Sequence, residues 1–141
     1  MSASLPLTPS FRLDGRRALV AGAGRGLGAA AAAALVEAGA HVTLAARSRD
    51  ELQALALTLR ERGGSCDVLV LDVTDSAAVT REIAAHGPFD VLVNSAGTNR
   101  PALLIDTPDQ DIEDVFNLNV PNLSWNTSFK QQRDPKRTAN K

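Results

Sequence analysis

The sequence predicts an α/β protein built on a parallel, doubly wound sheet. Three observations predict this class: short apolar runs alternate with helix-forming segments, the runs are almost continuously apolar, and glycines close most of the helical segments. Strands that are joined by helical crossovers run parallel to one another. Strands covered by helices on both faces are apolar throughout, as these runs are.

The alternation gives four strands and four helices in chain order. We predict strands at residues 17–22, 41–46, 66–73 and 89–97, the last running into a turn, and helices at residues 26–39, 48–64, 75–87 and 108–120. Ser48 and Glu51 have the spacing of a capping box, and Gly39 occupies the position after a helix C-terminus that favours glycine. The last helix carries acidic residues in its first turn, where the helix dipole favours them.

Composition limits the classes of partner and compartment. A net charge of -1 gives no reason to expect a strongly acidic or basic partner. The single cysteine, Cys66, excludes an internal disulfide framework and leaves too little sulfur for a zinc site, and its apolar surroundings predict a buried, inert thiol. The start lacks the features of a signal peptide, and no window reaches the roughly 18 apolar residues of a membrane span. We therefore expect a cytoplasmic, soluble chain with no metal site.

Composition changes abruptly near residue 120. Residues 1–120 contain ten arginines, no lysine and 15 acidic residues, whereas residues 121–141 contain five basic residues and one acid. We expect an N-terminal extension at 1–13, a folded unit at 14–120 and a disordered basic tail at 121–141, because the tail has few apolar residues to bury. The tail lacks a helical face and interleaved aromatic residues, so we do not expect it to bind nucleic acid.

Glycines are concentrated where the first predicted strand meets the first helix. Gly24, Gly26 and Ala29 fit a G-x-G-x-x-A register, while Gly22, Gly26 and Gly28 fit G-x-x-x-G-x-G. In a doubly wound sheet, ligands bind beyond the carboxyl ends of the strands. Glycines there let the backbone approach a diphosphate, which the N–H groups of the helix then hold. The loop therefore predicts a dinucleotide site.

The second register is followed by "LDV" at 71–73 and "NSAG" at 94–97. Together these motifs resemble the N-terminal half of a classical short-chain dehydrogenase/reductase over roughly residues 12–120. The chain departs from the usual pattern at Ala21, where the family has threonine, and at Ser95, where it has asparagine. The resemblance implies a Rossmann-type fold, cut off after about four strands and four helices, and an oxidoreductase acting on an alcohol/carbonyl pair.

The resemblance also implies a set of cofactor-binding residues. Asp72 would accept a hydrogen bond from the adenine amino group beside the Val73 backbone, although a strand-end cap would also explain Asp72. Asn94, Ala96 and Gly97 would lie along the nicotinamide ribose, although Asn94 also suits a plain turn. The glycine loop contributes the remaining residues of this set: Gly22, Arg25, Gly26, Leu27 and Gly28.

The end of the second strand indicates which dinucleotide is bound. NAD binders typically carry an acid there, whereas an arginine accommodates the 2′-phosphate of NADP. This chain has Arg47 and Ser48 after two alanines, and Arg25 can approach from the glycine loop. Arg47 could also be an exposed structural arginine, and helix capping already explains Ser48. We expect NADP(H) to be preferred, with NAD(H) as the alternative.

The resemblance ends before the family's catalytic residues. The family uses a tyrosine as acid/base, a lysine four residues later, a serine and an asparagine. This chain has no tyrosine, and its lysines all lie in 121–141; Asn119 alone matches, at the relay position, and it could equally be a polar helix residue. We therefore interpret the chain as catalytically incomplete, taking a carbonyl or alcohol substrate only if a missing half completes it.

Two alternatives to this interpretation remain open. The chain could be a non-catalytic fragment that binds dinucleotide or pairs with a partner, or it could be an unstable truncated gene product. Residues 91–93 would form a bare apolar edge of the sheet, which is a template for association with other chains.

Overall fold

The computed structural model describes residues 10–98 and 108–119. The strands are β1 (Arg17–Ala21), β2 (His41–Ala46), β3 (Ser65–Val70) and β4 (Val91–Asn94), and the helices are α1 (Gly26–Glu37), α2 (Arg49–Glu61), α3 (Ser76–His86) and α4 (Asp109–Asn119). All eight predicted elements are present. The basic tail at 121–141 and most of the N-terminal extension at 1–13 lie outside the described residues.

The strands form one parallel sheet in the order β3-β2-β1-β4. The prediction of an α/β, Rossmann-type fold is confirmed. The chain winds outward from β1 to β3 and then returns to place β4 on the other side of β1. This order puts the topological switch point between β1 and β4, which is where a doubly wound sheet opens a crevice for ligands.

Each face of the sheet has its own apolar core, because successive strand residues point to opposite faces. One core joins Val20, Val42 and Leu44 to Ala32 of α1 and to the buried leucines of α2. The other joins Leu19, Ala45 and Leu69 to residues of α3 and to Phe89. Both faces of the central strands are therefore buried, which accounts for their unbroken apolar sequence.

Strand β3 ends three residues before its predicted end at residue 73. Its neighbour β2 stops at Ala46, which pairs with Val70, and the Leu71 amide donates the last hydrogen bond to the Ala46 carbonyl oxygen at 2.9 Å. Beyond that point no backbone remains for β3 to pair with. The chain turns instead, and Asp72 Oδ1 accepts hydrogen bonds from the Thr74 amide at 2.9 Å and the Thr74 hydroxyl at 2.7 Å.

The Cys66 thiol is buried, as predicted. It is 4% exposed on β3, and its Sγ lies 3.8 Å from the Ala56 carbonyl oxygen of α2. Burial raises the pKa of the Cys66 thiol above its usual value. Because the thiolate is the reactive form, this side chain acts as a packing residue rather than as a nucleophile.

Strand β4 forms an edge of the sheet within the part of the chain that the structure describes. It pairs with β1 from Ala18↔Val91 to Ala21↔Asn94, and its three apolar residues are half-buried. Among the described residues, α4 contributes no buried side chain. None of the helices described has both the length and the apolar composition to cross a bilayer.

Candidate functional site

A cleft of about 500 Å³ lies at the carboxyl ends of the strands. Five segments meet around it: the glycine loop after β1, the junction of β2 and α2, the chain after β3, the turn after β4, and the end of α4. The following residues line it: Gly22, Gly24, Arg25, Leu27, Ala46, Arg47, Ser48, Glu51, Leu71, Val73, Ser95, Ala96, Gly97 and Leu118. Most of the residues predicted to bind cofactor are therefore brought together, and the cleft adds several that the sequence did not indicate.

Two glycines of the loop allow close backbone packing at the end of β1: Gly22 against the turn after β4, and Gly28 of α1 against Gly22 itself. Gly22 has a φ of +76°, and a Cβ on it would lie 2.6 Å from the Ala96 amide nitrogen. A Cβ on Gly28 would overlap the Gly22 carbonyl oxygen. Neither backbone group can move away cheaply, so both positions require glycine.

Gly26 differs from these two because it faces open space. Its φ is +58°, and nothing lies within 4 Å of the position that a Cβ would take. Glycine is therefore favoured here because it adopts this positive φ without strain, and it also leaves the approach to the first turn of α1 unobstructed. These three glycines match the G-x-x-x-G-x-G register.

The N-terminus of α1 has no side-chain cap. Its N-cap residue is Arg25, whose side chain makes no capping bond, and the first turn contains no acid. By contrast, Ser48 Oγ accepts from the Glu51 amide at the start of α2, and Asp75 Oδ1 accepts from the Ala78 amide at the start of α3. Uncapped N–H groups and the positive end of the helix dipole together favour an anion at this place.

Two exposed arginines flank the cleft. Arg25 belongs to the glycine loop and Arg47 follows β2, and neither forms an ion pair with any acid among residues 10–98 and 108–119. The Thr74 hydrogen bonds are the main cause that lowers the pKa of the Asp72 carboxyl, and the charge of Arg47 lowers it further. The Arg47 guanidinium therefore lies within electrostatic range of the turn after β3.

Four of the predicted cofactor-binding residues do not line the cleft. Gly28 packs against the Gly22 carbonyl oxygen, and Gly26 begins α1 with open space beside it. Asp72 caps the turn at the end of β3 through Thr74, and Asn94 is the last residue of β4, where it pairs with Ala21.

Asn119 lies at the end of α4 and holds the turn that follows β4. Its Nδ2 donates to the Thr98 carbonyl oxygen at 2.9 Å, and its Oδ1 accepts from the Thr98 amide at 3.2 Å. A Cβ on Gly97 would lie 2.7 Å from Asn119 Oδ1. The amide therefore fixes the position of α4 relative to the Ala96–Gly97 wall of the cleft.

Glu51 is a residue of the cleft that the sequence did not indicate. Its amide makes the expected capping bond to Ser48 Oγ at 3.4 Å. Its carboxylate, however, extends over the glycine loop, with Oε2 2.6 Å from the position of a Cβ on Gly24. The capping spacing accounts for the backbone of Glu51 alone, so no sequence signal gave the direction of its side chain.

The geometry agrees with a comparison against known families. The family model described as short chain dehydrogenase matches residues 16–128. The chain belongs to the short-chain dehydrogenase family. The matched range contains the glycine loop and every other segment that lines the cleft.

Two of the matched relatives are sugar-acid and sugar-alcohol dehydrogenases. The chain is 42% identical over 120 residues to 2-keto-3-deoxy-L-fuconate dehydrogenase of Xanthomonas campestris. This alignment covers 85% of this chain and 39% of that protein. It is also 42% identical over 123 residues to galactitol 2-dehydrogenase of Rhizobium johnstonii, covering 84% of this chain and 46% of that protein.

A solved structure matches the fold closely. Gluconate 5-dehydrogenase from Burkholderia cenocepacia, in complex with NADP and tartrate, superimposes with a TM-score of 0.80 at 34% identity. The match covers 90% of this chain and 52% of that one. The chain thus spans less than half the length of the two curated relatives and about half of this structural neighbour.

The contact between Gly22 and the turn after β4 gives a testable prediction. Gly22→Ala should destabilise the protein more than Gly63→Ala, measured as the free energy of unfolding in urea. Both glycines have a positive φ, which costs roughly 1–2 kcal/mol for an L side chain. Only Gly22 adds a clash with the Ala96 backbone, because nothing lies within 4 Å of a Cβ on Gly63. Equal losses for the two variants would contradict the close packing described here.

Proposed function

We propose that residues 14–120 form the NADP(H)-binding half of an oxidoreductase that acts on an alcohol/carbonyl pair. One observation carries the proposal: the uncapped N-terminus of α1 opens into a cleft flanked by two arginines that have no ion-pair partner in the described residues. A dinucleotide supplies the matching charges, a diphosphate at its centre and, in NADP, a further phosphate at one end.

The glycine loop suits the diphosphate. No atom lies within 4 Å of the position that a Cβ on Gly26 would take, so an anion can approach the first turn of α1 from this side. The N–H groups of that turn point out of the helix toward its N-terminal end, where they can donate to phosphate oxygens. Leu27, which is 84% exposed, lies at the rim of the same opening.

The corner after β2 suits the 2′-phosphate of NADP. Arg47 is placed there by the end of β2, and its planar guanidinium can pair with two phosphate oxygens at once. Arg25 offers a second positive charge from the glycine loop, and the Ser48 hydroxyl remains able to donate while its oxygen accepts from Glu51. The NADP bound to the Burkholderia gluconate 5-dehydrogenase is consistent with this choice.

The remaining residues of the proposed site divide between the two ends of the cofactor. Both Thr74 bonds go to Asp72 Oδ1, so Oδ2 retains lone pairs for the adenine amino group, next to Val73 in the cleft wall. Ala96 and Gly97 line the opposite wall, and we assign them and Asn94 to the nicotinamide ribose.

We propose that the chain by itself binds cofactor without catalysing hydride transfer. Reduction of a carbonyl needs a proton donor of suitable pKa beside the substrate. The sequence contains no tyrosine to supply it, and both polar groups of the Asn119 amide are bonded to Thr98. Asn119 would join a proton relay, and a substrate would bind, only when further residues complete the site. The bound cofactor would supply the hydride in that completed site.

The proposal predicts tight binding of NADPH that depends on Arg47. Arg47→Gln should weaken NADPH binding about tenfold, because a charge-assisted bond to phosphate contributes roughly 1.5–3 kcal/mol. The affinity for NADH, which lacks the 2′-phosphate, should fall much less in the same variant. Binding is measured by titrating the enhanced fluorescence of the reduced cofactor.

Arg62→Gln is the matched control, because Arg62 is an exposed arginine at the opposite end of α2 and does not line the cleft. Its NADPH affinity should equal that of the wild type. Absence of binding by the wild type would refute the proposed function. Steady oxidation of NADPH at 340 nm with carbonyl substrates would refute the claim that this chain is catalytically incomplete.

We further propose that β4 associates with other chains through the apolar edge at residues 91–93. Val91, Leu92 and Val93 are half-buried, and within the described residues β4 pairs with β1 alone. Unpaired N–H and C=O groups along an apolar strand form a template for another strand.

Hydrogen–deuterium exchange at low and high protein concentration tests this association. Amide protection in β4 should rise with concentration, while protection in β3, the opposite edge with its exposed Asp67, stays constant. Equal protection of β4 at both concentrations would exclude association through this edge.

A further inference from the structure

The cleft contains a negative charge among its positive ones. Glu51 is the only carboxylate among the residues that line it, and Arg25 and Arg47 are the only cations. In the described part of the chain, Glu51 forms no ion pair with either arginine. The carboxylate is therefore not neutralised by the two groups proposed to hold phosphate.

The local geometry fixes where this charge lies. Ser48 caps α2 by accepting from the Glu51 amide, which holds Glu51 in the first turn of the helix, four residues after Arg47. From there the side chain reaches back across the cleft to the glycine loop. Its Oε2 atom lies over Gly24, the residue directly before Arg25, at 2.6 Å from the position of a Cβ there. The carboxylate thus lies between the start of α2 and the glycine loop, at the corner of the cleft after β2.

An acid at this corner has two effects of opposite sign on the two cofactors. Folds of this type hold the ribose 2′-hydroxyl of NAD with an acid near the end of the second strand. Strand β2 ends in Ala46, which cannot do this, and Glu51 is the acid that reaches the same corner. A 2′-phosphate at that corner would meet Arg47 favourably and the Glu51 carboxylate unfavourably.

We propose that Glu51 is a specificity-determining residue that opposes Arg47, accepting a hydrogen bond from an unphosphorylated ribose and weakening the binding of a 2′-phosphate. This inference rests on the proposed dinucleotide site. The cofactor preference then depends on the opposing charges of Arg47 and Glu51, and NAD(H) also binds, in addition to NADP(H).

Titration of the full 141-residue chain with NADPH and with NADH tests the balance. Glu51→Gln should strengthen NADPH binding about fivefold, the upper range for a partly exposed charge pair, and should weaken NADH binding. The quantity to compare is the ratio of the two dissociation constants within one preparation, because a loss of folded protein affects both constants equally. An unchanged total helix content from circular dichroism shows that the variant keeps the helical fold of the wild type.

Two further variants test whether the effect depends on where the negative charge of Glu51 lies or only on the net charge of α2. Glu61→Gln removes the same charge from the other end of α2, outside the cleft, and should leave the ratio unchanged. Glu51→Asp keeps a carboxylate at the corner and should change the ratio less than Glu51→Gln does.

The outcomes separate this inference from the proposed function. If both cofactors bind but Glu51→Gln leaves the ratio as it is in the wild type, or if Glu61→Gln shifts it equally, the role of Glu51 is refuted and the proposed function stands. If neither cofactor binds to the wild type, both are refuted.

Discussion

The close contact between Gly28 and the Gly22 carbonyl oxygen is the constraint on which the rest of the site depends. A Cβ on Gly28 would collide with the Gly22 carbonyl oxygen, so α1 can start here only if that position lacks a side chain, and a Cβ on Gly22 would collide with the backbone of the turn after β4. Its first turn is thereby held against the end of β1, at the switch point between β1 and β4. Arg25 and Leu27 then take their places at the rim because they are attached to this turn. The cleft is therefore a consequence of how closely a helix packs against a strand.

Charged side chains form ion pairs at the amino ends of the strands and, among the described residues, form none at the carboxyl ends, and this difference indicates where a charged ligand would bind. At the amino ends of the strands, Arg16 pairs with Asp90 at 3.2 Å, and His41 lies 2.8 Å from Asp67. At the carboxyl ends, α1 is uncapped, and Arg25 and Arg47 form no ion pair in the described residues. Exposed side chains that already pair within the protein need no ligand, whereas unpaired charges around a cleft favour a charged ligand.

The sequence predicted the elements and most of the cleft because both follow from local patterns. Apolar runs indicated the strands, glycines marked the ends of three helices, and the capping-box spacing of Ser48 and Glu51 marked the start of α2. The end of β3 was misplaced because it depends on where its neighbour Ala46 stops pairing, which is a tertiary property. Glu51 was missed for a related reason: the capping pattern explained its backbone, while the direction of its carboxylate depends on the glycine loop, which is distant in sequence. Leu118 entered the cleft only through the packing of α4.

The central claim is that the first-turn amides of α1 hold the diphosphate of a dinucleotide. Nuclear magnetic resonance with ¹⁵N-labelled protein tests it most directly, by following the amide signals of residues 26–28 during titration with NADPH. The account predicts large, saturable shifts of these signals and little change at residues 76–78, which begin α3 under the Asp75 cap. Saturable binding that leaves the signals of residues 26–28 unshifted would contradict it.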